Sequence, residues 1–347
     1  MELTLKAYSF CLKFTHPFGI AHGTRNSTDT LFVTASFDGK TGYGEAGLPP
    51  YLGYDVKELV AGFNNWFPKT TNDISAITEV LSQLNKSNNS IPTPVKTATD
   101  IALLDLWGKL SGKPIRDLLG IPPGNKTLCT FTLGISSINE LIGKINEAPE
   151  FRLFKLKLGG ENDHERVEAF LKNSKHSFCV DANQAWKKVD EALNEIDWLK
   201  EKGCIFVEQP LPVSMNDEMA ELHSKSSLPI ILDESIQNIR DLENLYGVCH
   251  GINVKLTKCG GINPAMELIR RARKLNKKIL VGCMSESSCG AAAASQLAGW
   301  ADWVDLDGPK LISNDPFAGI IYQDGVLLPN TIAGLGITIV NDFTEIN

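Results

Sequence analysis

A chain of 347 residues exceeds one small domain. At about 150 residues per domain it has room for two, although one α/β barrel can take about 250. With 43% hydrophobic, 22% charged and 8% aromatic residues, disordered, collagen-like and coiled-coil classes are excluded. A net charge of −7 lacks the basic footprint of a nucleic-acid or anionic-membrane partner, and neither is expected.

The opening stretch MELTLKAYSFCLKF alternates polar and apolar residues and lacks the apolar core of a secretory signal. No run approaches the roughly 18 apolar residues of a membrane span. The cysteines, Cys11, Cys129, Cys179, Cys204, Cys249, Cys259, Cys283 and Cys289, show no C-x-x-C spacing. They read as reduced thiols of a cytoplasmic protein. Residues 3–12 and 30–37 read as strands, the second followed by an Asp38-Gly39-Lys40 turn. Helical patterns follow at 55–66 and 72–85, then a polar stretch at 85–90. A better-marked helix starts with Thr93 as its cap and Pro94 in its first position. Its apolar face carries Val95, Ala98, Ala102 and Leu106, and Gly112 and Pro114 end it. This α+β part reads as a lid or partner-binding module rather than a cofactor domain. Within it, Gly42-Tyr43-Gly44-Glu45-Ala46-Gly47 matches G-x-G-x-x-G. A dinucleotide site needs a helix opening at the third glycine, and Leu48-Pro49-Pro50 forbids one. A glycine-rich strand turn is the better reading.

From about residue 126 short apolar runs alternate with amphipathic stretches, the pattern of βα units. The runs are 128–135, 151–158, 177–180, 204–207, 228–232, 251–254, 278–281 and 300–304. Helical faces lie at 166–171, 189–199, 241–248, 265–272 and 291–297. The runs end in Thr132, Lys157, Asp181, Glu208, Asp233, Lys255, Cys283 and Asp305, spaced by 25, 24, 27, 25, 22, 28 and 22 residues. Eight units of about 25 residues predict a (β/α)₈ TIM-type barrel, whose chemistry sits at the carboxyl ends of its strands. The expected organisation is a capping domain over 1–125, a barrel over 126–320, and a segment, 321–347, that returns to the capping domain.

The residue types at the strand ends set the chemistry. Asp181, Glu208 and Asp233 from three adjacent strands are hard oxygen ligands that select Mg²⁺, with Mn²⁺ as a substitute. Lys155 and Lys157, two apart on a strand, share the interior face. Their proximity is expected to lower a lysine pKa and make a usable general base. Lys255 comes from the opposite side of the barrel. A substrate α-carbon between Lys157 and Lys255 would meet one base on each face. One lysine removes the α-proton and the other returns one, inverting the centre, while the metal stabilises an enediolate. Asp305 and Asp307, two apart and so expected on one side of the last strand, are candidates for a cationic substrate group.

Five ordered motifs carry a family resemblance: Lys155-Leu156-Lys157, Asp181-Ala182-Asn183-Gln184, Glu208-Gln209-Pro210, Asp233-Glu234-Ser235 and Lys255-Leu256-Thr257-Lys258-Cys259-Gly260-Gly261. The series resembles the enolase superfamily, in particular its muconate lactonizing enzyme subgroup. Asp305-Leu306-Asp307 resembles the paired aspartates by which dipeptide epimerases bind an α-ammonium group. The resemblance implies Mg²⁺ on Asp181, Glu208 and Asp233, and acid/base roles for Lys157 and Lys255. It implies substrate contacts for Thr132, Lys155, Cys283, Met284, Asp305 and Asp307, a supporting role for Glu234, a dipeptide substrate such as Ala-Xaa, and a homo-oligomer. Members that prefer Ala-Glu carry an arginine in a capping loop. Here Gly23 aligns with it and Arg25 lies two places away, which leaves a small or hydrophobic side chain open. The rivals are an o-succinylbenzoate synthase or cycloisomerase on the same scaffold, and a non-catalytic dipeptide-binding barrel. A metal-dependent hydrolase is disfavoured, because the six histidines avoid the strand ends.

Overall fold

The first three strands form an antiparallel sheet: β1 (Thr4–Ile20), β2 (Gly23–Phe37) and β3 (Lys40–Leu48). The computed structural model describes residues 2–21, 23–67, 77, 80–81, 84, 90–124 and 127–343. The turn between β2 and β3 uses Asp38 (φ 49) and Gly39 (φ 70), the left-handed pair that matches the twist of a two-residue hairpin. Strands β1 and β2 are longer than alternation indicated. The register breaks between Lys13 and Phe18, and the hairpin continues past the break. That extension brings Phe18, Ile20 and Arg25 over the barrel mouth.

The helix Val56–Trp66 matches the pattern at 55–66, with Asp55 accepting from the Lys57 and Glu58 N–H groups. The patterns at 72–85 and 85–90 lie largely outside the described residues. The better-marked helix spans Thr93–Ser111. Pro92, not Thr93, precedes it; Thr93 is already helical, and no side chain caps this end. Gly112 (φ 66) ends it as expected. It lies between sheet and barrel, so nearly every face is buried and the one-sided pattern understates it. The glycine motif lies in strand β3, pressed on this helix. A Cβ on Gly42 would overlap the Ala102 carbonyl, and one on Gly44 the Ala98 carbonyl. Gly44→Ala therefore costs about 3 kcal/mol of folding stability through overpacking against rigid backbone, read by urea denaturation.

Eight parallel strands follow: β4 (Thr130–Leu133), β5 (Leu153–Lys157), β6 (Ser177–Asp181), β7 (Cys204–Glu208), β8 (Ile230–Leu232), β9 (Gly251–Lys255), β10 (Lys278–Gly282) and β11 (Trp303–Asp305). They pair in chain order, and a parallel bridge between Cys129 and Val304 joins the ends. This is the (β/α)₈ barrel, all eight strands lying within the expected runs or a residue past them. Two residues before the acidic ends, Cys179, Phe206 and Ile231 point inward with Leu280 and form an apolar floor beneath them. The five expected helical faces fall on Asp163–Asn173, Val189–Glu201, Ile239–Leu245, Ile262–Lys274 and Ser288–Ser295. The helices Ile138–Asn146 and Asn216–Lys225 were not anticipated. The first opens with a reciprocal cap between Ser137 and Glu140, an S-x-x-E signal present in the sequence.

The last described residues pack on the first sheet. Phe343 is fully buried and meets Phe32 at 4.7 Å, Phe317 at 5.3 Å and Tyr8 at 5.7 Å between ring centroids. Asp105 of the long helix accepts from the N–H groups of Leu335 (2.8 Å) and Tyr43 (2.9 Å). No described helix is long and apolar enough to cross a membrane, and all eight cysteines are free.

At the amino end of β8, His250 Nδ1 accepts from the Ile230 N–H (3.0 Å) and its ring lies 4.3 Å from that of His223. Burial, then His223 and Lys277, pull His250 down to about 4. Its unfolded value is near 6.5, so its contribution to stability is present above about pH 6.5 and is lost as pH falls toward 4. The melting temperature should drop across that window, and less steeply in His250→Asn, which keeps an acceptor without the titration.

Candidate active site

Parallel register sets the acidic ends side by side. Lys157 is aligned with Asp181, and Asp181 with Glu208. Asp233 follows one residue beyond β8. Oxygens of Asp181, Glu208 and Asp233 lie within 4.8 Å of one another, all three residues buried. Among the described residues this is the only group of three or more acidic, histidine or cysteine side chains so disposed. The backbone is strained here. Asn183 (φ 43), Gln184 (φ 66) and Gln209 (φ 35) adopt left-handed conformations that non-glycine residues avoid. Each is held by its partners. The Asn183 N–H donates to Asp181 Oδ1 (2.8 Å), and Gln209 Oε1 accepts from the Asp233 N–H (3.0 Å).

Burial and the charges of Asp181 and Asp233 push Glu208 up to about 7. Burial would also raise Asp181 and Asp233, but lysines outweigh it. Lys157 and Lys155 hold Asp181 below the carboxylate range, and Lys255 and Lys258 hold Asp233 far below it. The donor set fits a hard divalent cation: three buried carboxylates, no histidine or thiolate, and one carboxyl strained by its neighbours' charge.

Lys157 Nζ donates to Asp181 Oδ2 (2.6 Å) and Lys255 Nζ to Asp233 Oδ2 (2.7 Å). Strands β5 and β9 are four apart in an order of eight, so the two lysines face each other across the barrel. Lys155 corrects an expectation. It is not itself a lowered lysine: burial pulls it down, but Asp305, Glu208 and Asp181 push it further up. Its Nζ lies 2.5 Å from Asp305 Oδ2 and 2.9 Å from Glu208 Oε2. Lys255 is likewise raised, Asp233 outweighing burial. Facing carboxylates, not lysine pairing, set these charges.

Asp305 ends β11, where Thr130 Oγ1 also donates to it. Asp307 lies beyond the strand, at the start of the short helix Gly308–Leu311, so a shared strand face does not explain the pair. Its Oδ2 accepts from the Thr132 N–H (2.5 Å), and burial and Asp305 push it up to about 7. Above these groups a cavity of about 580 Å³ opens at the barrel mouth. Thr132, Lys155, Lys157, Asp233, Lys255, Cys283, Asp305 and Asp307 line it; Asp181 and Glu208 lie beneath. Met284, an expected contact, and Glu234, expected in a supporting role, line it as well.

Three residues had been given no role. Lys258 Nζ donates to Asp233 Oδ1 (2.6 Å), Asp233 O (2.6 Å) and Asn253 O (2.9 Å), fixing the third carboxylate. Its signal was a second lysine three residues after Lys255, on the helical turn Leu256–Cys259. Buried Arg166 donates to the Lys157 carbonyl (2.7 Å) and so anchors the end of β5. Tyr51, from the capping segment, reaches Met284 Sδ (3.5 Å). Arg25, present in the sequence reading only as an offset residue, extends from β2 into the cavity. Its Nη1 is buried without a hydrogen-bond partner.

A family model described as the mandelate racemase / muconate lactonizing enzyme N-terminal domain matches residues 5–120, and one described as enolase C-terminal domain-like matches 139–343. The chain belongs to the enolase superfamily. Among its relatives in that superfamily, the L-Ala-D/L-Glu epimerase of Bacteroides thetaiotaomicron is 38% identical over 97% of this chain and 88% of its own length. An L-Ala-D/L-amino acid epimerase of Maribacter is 35% identical over 98% of this chain and 99% of its own. A crystal structure of a dipeptide epimerase from Enterococcus faecalis, complexed with Mg and L-Leu-L-Tyr, superposes with a TM-score of 0.88. It is 28% identical and covers 97% of this chain and all of the other.

Proposed function

We propose that this superfamily member is an Mg²⁺-dependent dipeptide epimerase that inverts the α-carbon of the carboxyl-terminal residue by a two-base 1,1-proton transfer. The observation that carries this reading is the placement of Lys157 and Lys255 on opposite walls of one cavity, above three converging carboxylates. In this reading residues 1–125 and 321–347 form the lid and 126–320 the barrel. The enzyme works in the cytoplasm as a homo-oligomer, the former supported by its eight free cysteines.

Asp181, Glu208 and Asp233 would hold the cation. When bound, it neutralises these carboxylates and the charge that develops on the substrate carboxylate. Lys157 Nζ removes the α-proton from one face, and Lys255 Nζ delivers a proton to the other; the roles exchange in the reverse direction. Asp307 accepts from the substrate ammonium, while Asp305 holds Lys155 in place. A cycloisomerase or o-succinylbenzoate synthase substrate offers these aspartates no ammonium group. Arg25 supports an acidic carboxyl-terminal side chain, because a buried guanidinium nitrogen without a partner is satisfied by a carboxylate.

Chiral chromatography of L-Ala-L-Glu incubated with enzyme and Mg²⁺ should show L-Ala-D-Glu growing toward a near-equal mixture. A peptide recovered with its configuration intact, for every dipeptide tried, would sink the reading. Arg25→Met should raise KM for L-Ala-L-Glu by about 10- to 100-fold, the worth of a charge-assisted pair, and leave L-Ala-L-Leu within about threefold. Equal effects on both substrates would remove Arg25 from side-chain recognition.

A further inference from the structure

The glycine motif of β3 has no part in nucleotide binding, and its glutamate enters no step of the proposed reaction. Yet Glu45 is fully buried at the boundary between lid and barrel. Its Oε1 accepts from Thr30 Oγ1 (3.0 Å) and the Ser287 N–H (3.0 Å), and its Oε2 from Ser287 Oγ (2.5 Å) and the Gly290 N–H (2.8 Å). A carboxylate from the lid thus satisfies free N–H groups at the start of the barrel helix Ser288–Ser295, where negative charge is favoured. Asp315 satisfies the Ser288 N–H beside it (2.9 Å).

A second buried carboxyl approaches the same turn. Glu286 Oε1 accepts from Thr257 Oγ1 (3.1 Å), two residues beyond Lys255. A Cβ on Gly290 would stand 2.6 Å from Glu286 Oε2, and one on Gly47 would stand 3.0 Å from both Glu286 Cγ and Met284 Cβ. The glycines at 47 and 290 therefore make room for Glu286 between lid and barrel. Gly47 leads into Pro49, Pro50 and Tyr51 on the lid wall of the cavity, and Glu286 follows Cys283, Met284 and Ser285 on the barrel wall.

We propose that Glu45 and Glu286 are a pair of positioning residues that lock the lid to the seventh strand's loop and so set two walls of the substrate cavity. Neither touches the reacting atoms. Two buried carboxyls whose charges repel resist ionising together. Burial, then Glu286, push Glu45 up to about 8, and burial also raises Glu286. The charged or titratable groups facing the pair are Lys255 from β9, which favours the Glu286 anion, Cys283 after β10, raised by burial and Glu286, and Cys289 from the barrel helix, raised by burial and Glu45. Ionisation of both places two like charges at the lid–barrel contact and loosens both walls.

The substrate readout rests on the epimerase reading; a second readout does not. In wild type, KM for the best dipeptide should rise at least threefold between pH 7 and 9 with kcat changing less. Glu286→Gln, a neutral isostere, should flatten that rise and keep the melting temperature at pH 7. Glu45→Ala should raise KM about tenfold at pH 7. It should also speed hydrogen–deuterium exchange of peptides 43–51 and 283–290, leaving β5–β9 protected. The exchange result stands even if no dipeptide is turned over. A wild-type KM that is flat with pH, an unchanged profile in Glu286→Gln, or unaltered exchange of both peptides in Glu45→Ala would overturn the proposal.

Discussion

Lys157→Ala and Lys255→Ala should each lower the rate of dipeptide inversion by about 10³-fold, within the 10²- to 10⁴-fold range of positioned acid–base groups. The two losses are not equivalent in kind. Inversion needs both faces of the α-carbon, but exchange of its proton with solvent needs one. Each variant should therefore still exchange the α-proton of one epimer and be inert toward the other, with the two preferences reversed. NMR of L,L and L,D dipeptides in D₂O resolves this directly. The lysines also neutralise Asp181 and Asp233 at 2.6 and 2.7 Å, so their removal unbalances buried charge. Circular dichroism and Mg²⁺ titration separate that from lost catalysis. Wild-type turnover in either variant would refute the two-base assignment.

Removal of the cation should be as damaging. After dialysis against chelator, turnover should fall to background and return on addition of Mg²⁺. Three carboxylates within 4.8 Å on an apolar floor of Cys179, Phe206, Ile231 and Leu280 leave little solvent to screen them. Glu208→Gln should retain the fold, since an amide fills the same space: its oxygen still accepts from Lys155 Nζ (2.9 Å), and Asn253, whose Oδ1 has no partner, can turn its amide to accept from the new Nε2. It should weaken Mg²⁺ binding by at least about 100-fold, roughly 2.7 kcal/mol. Undiminished turnover in excess chelator would detach the three carboxylates from the reaction.

The strand-end chemistry was legible because parallel strands of a barrel end on one face. A carboxylate or lysine recurring about every 25 residues is a one-dimensional trace of that geometry. What was lost is what depends on partners distant in sequence. The charge state of Lys155 could not be read from Lys157 beside it, since Asp305, 150 residues away, decides it. Lys258 looked like one more lysine in a motif until a helical turn folded it back onto Asp233. Arg25 seemed misplaced by two residues. The hairpin's register break, invisible in an alternation pattern, helps carry that part of β2 over the cavity. The helix Asn216–Lys225 escaped notice because most of it faces solvent and only Met219 and Leu222 are buried.

The central claim is that a carbon-bound proton is removed and replaced at the α-carbon of a dipeptide's carboxyl-terminal residue. Incubating the protein with Mg²⁺ and a dipeptide library in D₂O, and reading mass at that carbon, measures it. The expected result is a gain of one deuterium at that position alone, led by dipeptides with an acidic carboxyl-terminal side chain. No deuterium in any dipeptide, with the protein folded and Mg²⁺ bound, would contradict it.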